Sequence, residues 1–135
     1  MSLSHLLTTD VASAAPDTAA EDLAAAFRDG EPVVVVLDEG RPLGVITPAT
    51  LGRAVVDGAD LGSMTAADLL DGEPVTIRDS ATRDDLVSLL SATSERWIVV
   101  VDDGAFAGVV SAEDVVVDFG RELEALLDLL ADRDD

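Results

Sequence analysis

The sequence predicts an α/β fold built from two tandem repeats, each in the order strand, helix, strand, strand, helix. Three observations predict it: valine-rich runs typical of buried strands, amphipathic stretches typical of helices, and a match of the chain with itself. Leu6 corresponds to Leu69 at a shift of 63 residues, and Gly44 to Gly108 at a shift of 64. A shared order of turn residues and apolar runs at one distance indicates a duplicated unit.

The first repeat begins with a short strand over Val11–Ala14, followed by a helix that opens at Pro16. Leu23, Ala26 and Phe27 give that helix one apolar face. A buried strand, a hairpin turn with a glycine of positive φ, a return strand and a second helix are predicted next. These elements are Val33–Leu37, Asp38–Gly40, Leu43–Thr47 and the helix that starts at Pro48.

The second repeat follows the same order from a strand over Val75–Arg78. Thr82 is the predicted N-cap of its first helix, because Asp85 three residues later completes a capping-box pattern. The apolar stripe of that helix consists of Leu86, Leu89 and Leu90. The later elements are the buried strand, the hairpin turn, the return strand and the second helix, at Trp97–Val101, Asp102–Gly104, Phe106–Ser111 and from Ala112 onward.

We place repeat 1 at residues 1–60, repeat 2 at residues 61–120, and a C-terminal helical extension with an acidic tail at residues 121–135. Each repeat is expected to carry a short leading helix, at Ser2–Leu7 and at Thr65–Leu70. The joint between the repeats, Asp57–Gly62, is polar and contains two glycines.

The charge of the chain excludes some classes of partner. Twenty-eight acidic residues face eight arginines and no lysine, which gives a formal net charge of −20 at pH 7. Such a field repels phosphate backbones and anionic membranes, so nucleic-acid and membrane partners are not expected. The acids are spread over the whole chain rather than forming a tail, and no calcium-loop pattern occurs. Adaptation to a cytoplasm of high salt explains them best, because salt screens carboxylate repulsion.

The residue inventory argues against catalysis. The sequence has no cysteine, lysine or tyrosine and one histidine, His5, so no catalytic or metal-binding constellation can be assembled. We therefore expect a protein that is not an enzyme and has no covalent cofactor. The N-terminus has no basic stretch before its leucines, and the apolar runs are too short to span a bilayer. A cytoplasmic protein is expected.

The hairpins and the strands after them resemble those of the CBS domain family. The second copy reads VVVDDG at Val99–Gly104 and GVVSAED at Gly108–Asp114. The first copy reads VVLDEG at Val35–Gly40 and GVITPAT at Gly44–Thr50. LGSMT at Leu61–Thr65 is similar to the segment that often precedes such a repeat. The resemblance extends from Ser4 to Phe119 and occurs twice in the same order.

This resemblance implies two repeats packed about a pseudo-twofold axis, with two clefts that often hold adenosine-containing ligands such as AMP, ATP or S-adenosylmethionine. It also implies that each cleft combines the [S/T]-x-x-D motif of one repeat with the first strand and strand edge of the other. One cleft is thus expected to contain Ser111, Asp114, Val110, Val11 and Ala12, and the other Thr47, Thr50, Val75 and Arg96.

Asp114 is the predicted ribose ligand, because a carboxylate can accept hydrogen bonds from both hydroxyls, and Ser111 can donate to a phosphate at a helix N-terminus. The same spacing is typical of a helix cap, and that interpretation stays open. Thr50 replaces the aspartate in the first copy, so that cleft is expected to bind nucleosides weakly or not at all. Arg96 is either a phosphate ligand or a surface arginine paired with acids.

Two functions follow from these observations. The first is a stand-alone regulatory module that senses an adenosine-type ligand and signals to an unidentified partner protein. The alternative is a ligand-free structural, dimerisation or protein-interaction module. The C-terminal extension predicts a homodimer under either function, since one helical face is apolar and a second copy is its simplest cover. That face consists of Leu123, Leu126, Leu127 and Leu130, widened by Leu129, and packing back onto its own module is the alternative.

We expect folding to depend on salt. The screening length falls from about 10 Å at 0.1 M salt to about 3 Å at 1 M, so repulsion among the carboxylates should weaken over that range. The melting temperature, followed by circular dichroism, should therefore rise from about 0.1 to about 2 M salt. A melting temperature that stays constant across the series contradicts this expectation.

Overall fold

The computed structural model describes Leu3 and residues 5–133, with the side chains of Asp132 and Arg133 excepted. The elements of repeat 1 are β1 (Ala12–Ala14), α1 (Ala20–Arg28), β2 (Val34–Asp38), β3 (Arg41–Ile46) and α2 (Pro48–Val56). A 3₁₀ turn (Leu61–Ser63) and α3 (Ala66–Leu69) lead into repeat 2. Its elements are β4 (Thr76–Arg78), α4 (Arg83–Ala92), β5 (Trp97–Asp102), β6 (Ala105–Ser111) and α5 (Ala112–Arg133).

Each repeat forms its own three-stranded sheet, in the orders β1-β2-β3 and β4-β5-β6. The first strand of each sheet runs parallel to the central strand, and the third strand returns antiparallel to it. This is the strand–helix–strand–strand–helix order predicted for both copies, and the fold class is confirmed.

The two hairpin turns have the backbone that their sequences predict. Glu39 and Gly40 both have positive φ, at 52° and 82°, and Asp103 and Gly104 repeat this at 51° and 83°. Two-residue hairpin turns favour positive φ at both central positions, because that twist matches the flanking strands. Glycine takes the second position of each turn, where it adopts this conformation without steric cost.

Each sheet contributes its residues to two buried layers. Val34 and Val36 of β2 pack under the helices of repeat 1, and Ile98 and Val100 of β5 do the same in repeat 2. The alternate residues point to the opposite face of each sheet. Four of these are fully buried yet belong to neither helix-side core, namely Val33, Val35, Val99 and Val109. Contacts between β3 and β6 place this second layer between the two sheets, where it joins the repeats.

The leading segment of each repeat packs into the core of the other. Ala66 and Leu69 of α3 belong to the core of repeat 1, whereas Leu3 and Leu6 belong to the core of repeat 2. Backbone hydrogen bonds fix the first exchange, since Ala66 N donates to Thr18 O at 2.8 Å. Because each core needs side chains from both halves of the sequence, the repeats form one cooperative unit.

The predicted helix over Ser2–Leu7 is wrong for the residues that the structure describes. Leu6 N donates to Leu3 O at 2.9 Å, which closes a turn, and Thr8 then pairs antiparallel with Val109. Ser2 and Ser4 lie outside the described residues. The counterpart α3 starts with a capping box in which the Asp68 carboxylate accepts from Thr65 N. His5 stands at the position of Asp68 and offers no carboxylate for such a box.

The second helix of repeat 2 continues without a break into the predicted C-terminal extension. Val115 is its last buried residue, and every described side chain from Phe119 to Ala131 is exposed. The alternative that the leucine face packs back onto its own module is therefore wrong for these residues. Asp134 and Asp135 of the acidic tail lie outside the described residues.

Arg83 joins the start of α4 to α5. Its guanidinium forms a salt bridge with Glu122, lies 3.8 Å from Asp118 Oδ2, and stacks on Phe119 with Cζ 4.0 Å from the ring centroid. The hydrogen bond with Glu122 raises the pKa of Arg83 above its ordinary value. His5 of the leading segment approaches the same Asp118 oxygen at 3.5 Å, so three segments meet at this carboxylate.

The predicted cap of α4 is present, and it generates a pH-dependent prediction. Thr82 Oγ1 accepts from Asp85 N at 3.1 Å, and Asp85 Oδ2 accepts from Thr82 N at 3.0 Å. These hydrogen bonds lower the pKa of the Asp85 carboxyl, and the bond from the Thr82 backbone has the largest effect. A lowered pKa in the folded state stabilises the protein above the unfolded pKa, and this contribution is lost as the pH falls through the folded pKa.

Asp85→Asn should therefore lower the melting temperature at pH 7, and the difference from wild type should shrink below about pH 4. Thr82→Ala should lower the free energy of unfolding by about 1 kcal/mol at pH 7. Asp84→Asn removes a neighbouring charge outside the capping box and serves as the control. Melting curves from about pH 3 to pH 7 test both expectations. If the difference in melting temperature between wild type and Asp85→Asn does not change with pH, ionisation of Asp85 does not contribute to stability as proposed.

Candidate functional site

A cleft of about 1030 Å³ lies between the two repeats. Repeat 1 supplies the start of α2, the joint supplies the end of α3 and the loop after it, and repeat 2 supplies the turn before β5. We call this space the arginine cleft, after the two arginines that line it. Its polar and aromatic lining residues are Thr47, Thr50, Arg53, Asp57, Asp68, Asp71, Glu73, Ser94, Glu95, Arg96 and Trp97.

Thr47 and Thr50 form the cap of α2. Thr50 N donates to Thr47 Oγ1 at 3.4 Å, Thr47 N donates to Thr50 Oγ1 at 3.2 Å, and the two hydroxyl oxygens are 3.2 Å apart. Pro48 occupies the first helical position, where the missing N–H costs nothing. Both hydroxyls are thus engaged with each other, so Thr50 is poorly placed to replace the ribose-binding carboxylate that the motif would otherwise provide.

Arg53 and Arg96 reach the same cleft from different repeats. Both side chains are exposed, and neither forms a salt bridge with any residue that the structure describes. The interpretation of Arg96 as a surface arginine paired with acids therefore has no support in the described residues. Guanidinium groups bind phosphate with charge-assisted hydrogen bonds, so two arginines that line one cleft and form no ion pair among the described residues favour an anion there.

Sequence reasoning missed Arg53 and the acidic residues of this cleft. Arg53 lies three residues after Thr50, one helical turn further along α2, so the motif together with helical periodicity could have identified it. Asp71 and Glu73 reach the cleft because α3 packs on repeat 1. The position of these two acidic residues in the cleft depends on the exchange of leading segments between the repeats, which the local sequence does not indicate.

Carboxylates outnumber arginines around the arginine cleft. Five acidic side chains line it, against two arginines, and they are Asp57, Asp68, Asp71, Glu73 and Glu95. One carboxylate oxygen of Asp68 accepts a hydrogen bond from Thr65 N. Carboxylate oxygens can accept hydrogen bonds from sugar hydroxyls, which supplies the acceptor that Thr50 does not provide. The same charges repel any anion that exceeds what the two arginines balance.

The aspartate region, Ser111–Asp114, is arranged differently. Ser111 Oγ accepts from Glu113 N at 3.2 Å, which makes it a helix cap, and Asp114 is exposed one turn into α5. Ala112 N donates to Arg96 O at 2.8 Å, so the backbone of Arg96 adjoins this region while its side chain lines the arginine cleft. Arg96 lines the arginine cleft, whereas Asp114 does not.

The apolar residues expected at the clefts mostly serve the cores. Val110 is fully buried in the core of repeat 2, and Val75 packs against the same core while its carbonyl accepts from Val99 N at 2.9 Å. Ala12 packs against the core of repeat 1. Val11 is half-buried immediately before β1. None of these four side chains lines the arginine cleft.

The leading segment makes the two halves of the module unequal. Thr8 N donates to Val109 O at 2.8 Å and Val109 N to Thr8 O at 2.9 Å, so the outer edge of β6 is covered. In the other half of the module, Asp71 corresponds to Thr8 and Val45 to Val109. Among the described residues no backbone bridge joins Asp71 to Val45, and both residues line the arginine cleft. The arginine cleft is therefore open at the edge that Thr8 covers in the other half.

A family model for the CBS domain matches residues 3–57 and again residues 66–119. The chain belongs to the CBS domain family. The two matched segments correspond to the two repeats derived from the self-match, and together they include both hairpins, both [S/T]-x-x-[D/T] segments and all six strands. The resemblance seen in the sequence is confirmed.

Solved structures of CBS proteins share this fold. The CBS domain protein of Pyrobaculum aerophilum, complexed with AMP, is 20% identical with a TM-score of 0.75, covering 90% of this chain and 99% of that one. CBSX2 in complex with AMP is 22% identical with a TM-score of 0.71, covering 89% and 96%. The CBS-domain containing protein of Agrobacterium tumefaciens is 27% identical with a TM-score of 0.68, covering 84% and 87%. No curated protein matches the sequence significantly.

The described part of the chain contains neither a membrane-spanning helix nor a cluster of metal ligands. Among the helices described, none combines the length and apolar composition that a bilayer-spanning segment requires. Within the same part of the chain, no three potential ligand side chains converge so as to hold a metal ion.

Proposed function

We propose that this CBS pair is a regulatory module that senses an adenosine-containing ligand and signals to a partner protein, and that the ligand binds in the arginine cleft. One observation carries the proposal: Arg53 and Arg96, one from each repeat, line a single cleft without carboxylate partners among the described residues. A ligand that engages both arginines links the two repeats, which is what a sensor requires.

The dimensions and lining of the cleft suit a nucleotide. A volume of about 1030 Å³ exceeds that of most small-molecule sites, so a nucleoside monophosphate has room. Trp97 and Met64 supply apolar surface for a base, the arginines supply phosphate donors, and the carboxylates supply acceptors for ribose. The structures of two CBS relatives with AMP support the same ligand class for this chain.

The balance of charge favours a monophosphate. A phosphate monoester carries roughly −1.5 to −2 charges at pH 7, which two guanidinium groups balance. Further phosphates would lie among five carboxylates with no additional cation. We therefore expect AMP to bind more tightly than ATP in the absence of divalent cations, and S-adenosylmethionine, which bears positive charge, to be tolerated.

Removing either cleft arginine should weaken AMP binding. Arg53→Gln and Arg96→Gln should each raise the dissociation constant about tenfold or more, since a hydrogen bond between charged groups contributes about 1.5–3 kcal/mol. Trp97 is the single tryptophan and lines the cleft, so its fluorescence reports occupancy directly. Calorimetry in high salt provides the second measurement. Arg78→Gln removes the same charge from an exposed site on β4 and should leave the affinity unchanged.

Asp114→Ala separates the arginine cleft from the aspartate region. If Asp114 holds the ribose, as the motif predicts, this variant loses about ten- to a hundredfold in affinity. If the arginine cleft is the site, Asp114→Ala leaves the affinity within about twofold. Thr50→Ala should instead destabilise α2 by about 1 kcal/mol through its capping box. Titration of both variants with AMP, alongside their melting curves, distinguishes these outcomes.

Loss of binding in Asp114→Ala with none in the arginine variants would transfer the site to the aspartate region. Wild-type protein that binds neither AMP, ATP nor S-adenosylmethionine would favour the ligand-free module instead. The excess of carboxylates over arginines around the cleft favours this second function, because it repels anionic ligands.

A further inference from the structure

The two leading segments take the same path as far as a leucine that lies against a glycine. Leu7 and Leu70 correspond in the repeat, and each follows a leucine that is buried in a core. A Cβ atom on Gly108 would lie 2.7 Å from Leu7 Cδ1, and one on Gly44 would lie 2.6 Å from Leu70 Cδ2. Both segments therefore reach the third strand of a sheet at the same point.

The segments part at the next residue. Thr8 exchanges two backbone hydrogen bonds with β6, and its carbonyl oxygen would lie 2.8 Å from a Cβ on Gly108. Asp71, the counterpart of Thr8, forms no bridge to a strand among the described residues. The three atoms nearest to the matching position on Gly44, out to 3.6 Å, all belong to Leu70 and none to Asp71. The loop after α3 thus leaves β3 where the N-terminal segment joins β6.

Gly72 explains the difference between the two paths. Its φ is 78°, in the left-handed region, so the chain turns away after Asp71 instead of continuing as an extended segment. Its counterpart Thr9 has a negative φ, because Glu39 and Asp103 are the non-glycine residues with positive φ in the described chain. A Cβ on Gly72 would meet nothing within 4 Å. The glycine is therefore needed for its backbone conformation rather than for space.

The departure of the loop leaves the backbone of Val45 open to the arginine cleft. Val45 and Val109 hold the same register position in their hairpins. Val109 uses its N–H and C=O on the outer side of the sheet, where both bond to Thr8. By the alternation of an antiparallel pair, the N–H and C=O of Val45 point outward as well. Val109 is fully buried, whereas Val45 is half-buried and lines the cleft together with residues 71–73.

We propose that Gly72 holds the arginine cleft open, and that the loop over residues 71–73 closes on β3, as Thr8 does on β6, once residue 72 is confined to negative φ. Gly72 is then a positioning residue, since it acts on a ligand through the path of the backbone and the strand edge that this path leaves free. Opening and closing are properties of the chain alone. The effect on ligand access rests in addition on the proposed function.

A matched pair of variants at residue 72 tests the closure by hydrogen exchange. Gly72→Thr copies the residue at the counterpart position, and a β-branched side chain rarely adopts positive φ. Gly72→Asn adds a side chain of similar size, but asparagine tolerates the left-handed region. The Val45 amide should exchange about tenfold or more slowly in Gly72→Thr than in wild type, and at the wild-type rate in Gly72→Asn.

NMR on the protein without ligand measures this exchange, with the hydrogen-bonded Val109 amide as the internal reference. Melting curves establish that both variants are folded. The proposal is overturned if the Val45 amide of wild type is already protected as strongly as that of Val109. It is equally overturned if the Val45 amide does not slow in Gly72→Thr, or slows to the same extent in Gly72→Asn.

Access to the cleft is measured on the same proteins. Trp97 lines the cleft, so quenching of its fluorescence by acrylamide should fall in Gly72→Thr and stay at the wild-type level in Gly72→Asn. The dissociation constant for AMP should rise about tenfold or more in Gly72→Thr and stay within about twofold in Gly72→Asn. Slower exchange at Val45 with unchanged quenching and AMP affinity overturns the proposal, because the cleft then stays accessible. If wild type binds no AMP, the proposed function fails, while exchange and quenching still decide the role of Gly72.

Discussion

The module depends on the exchange of leading segments between its repeats. Leu3 and Leu6 complete the core beneath β5, and Ala66 and Leu69 complete the core beneath β2. A repeat deprived of its partner would lose these buried side chains and expose the valine layer between the sheets, each large side chain costing about 1.5–3 kcal/mol when uncovered. The same exchange carries the loop after α3 to the first repeat, which is how acidic residues from the joint come to line the arginine cleft.

Much of the fold was predictable because local rules agree with the tertiary structure. Hairpin glycines, the capping box of Thr82 and the valine-rich runs identify the ten repeat elements in the right order. The helix expected at Ser2–Leu7 failed because the pattern of leucines is shared with α3 while the capping acid is not. Nothing in the local sequence shows which core a leading segment joins, since either core offers the same apolar surface.

The candidate site was predicted less completely, for a related reason. The motif identifies Thr47, Thr50 and Arg96, and the structure brings these three to one cleft. It does not reveal that the threonine hydroxyls bond each other, nor that Arg53 completes a pair of cations. The sequence predicts that the clefts differ through Thr50, but it does not reveal that Thr8 bridges to β6 while the matching edge of β3 stays open. With few arginines among many acids, the positions of the arginines determine where an anion can bind at all.

Helix α4 connects the two surfaces described above. It starts at Arg83, which holds α5 through Glu122 and Phe119, and it ends at Ala92, just before the turn that carries Arg96 into the arginine cleft. Ten residues of helix span roughly 15 Å with no glycine or proline between them. The arginine cleft and the base of α5 thus lie near opposite ends of one regular helix that contains no residue at which it would kink.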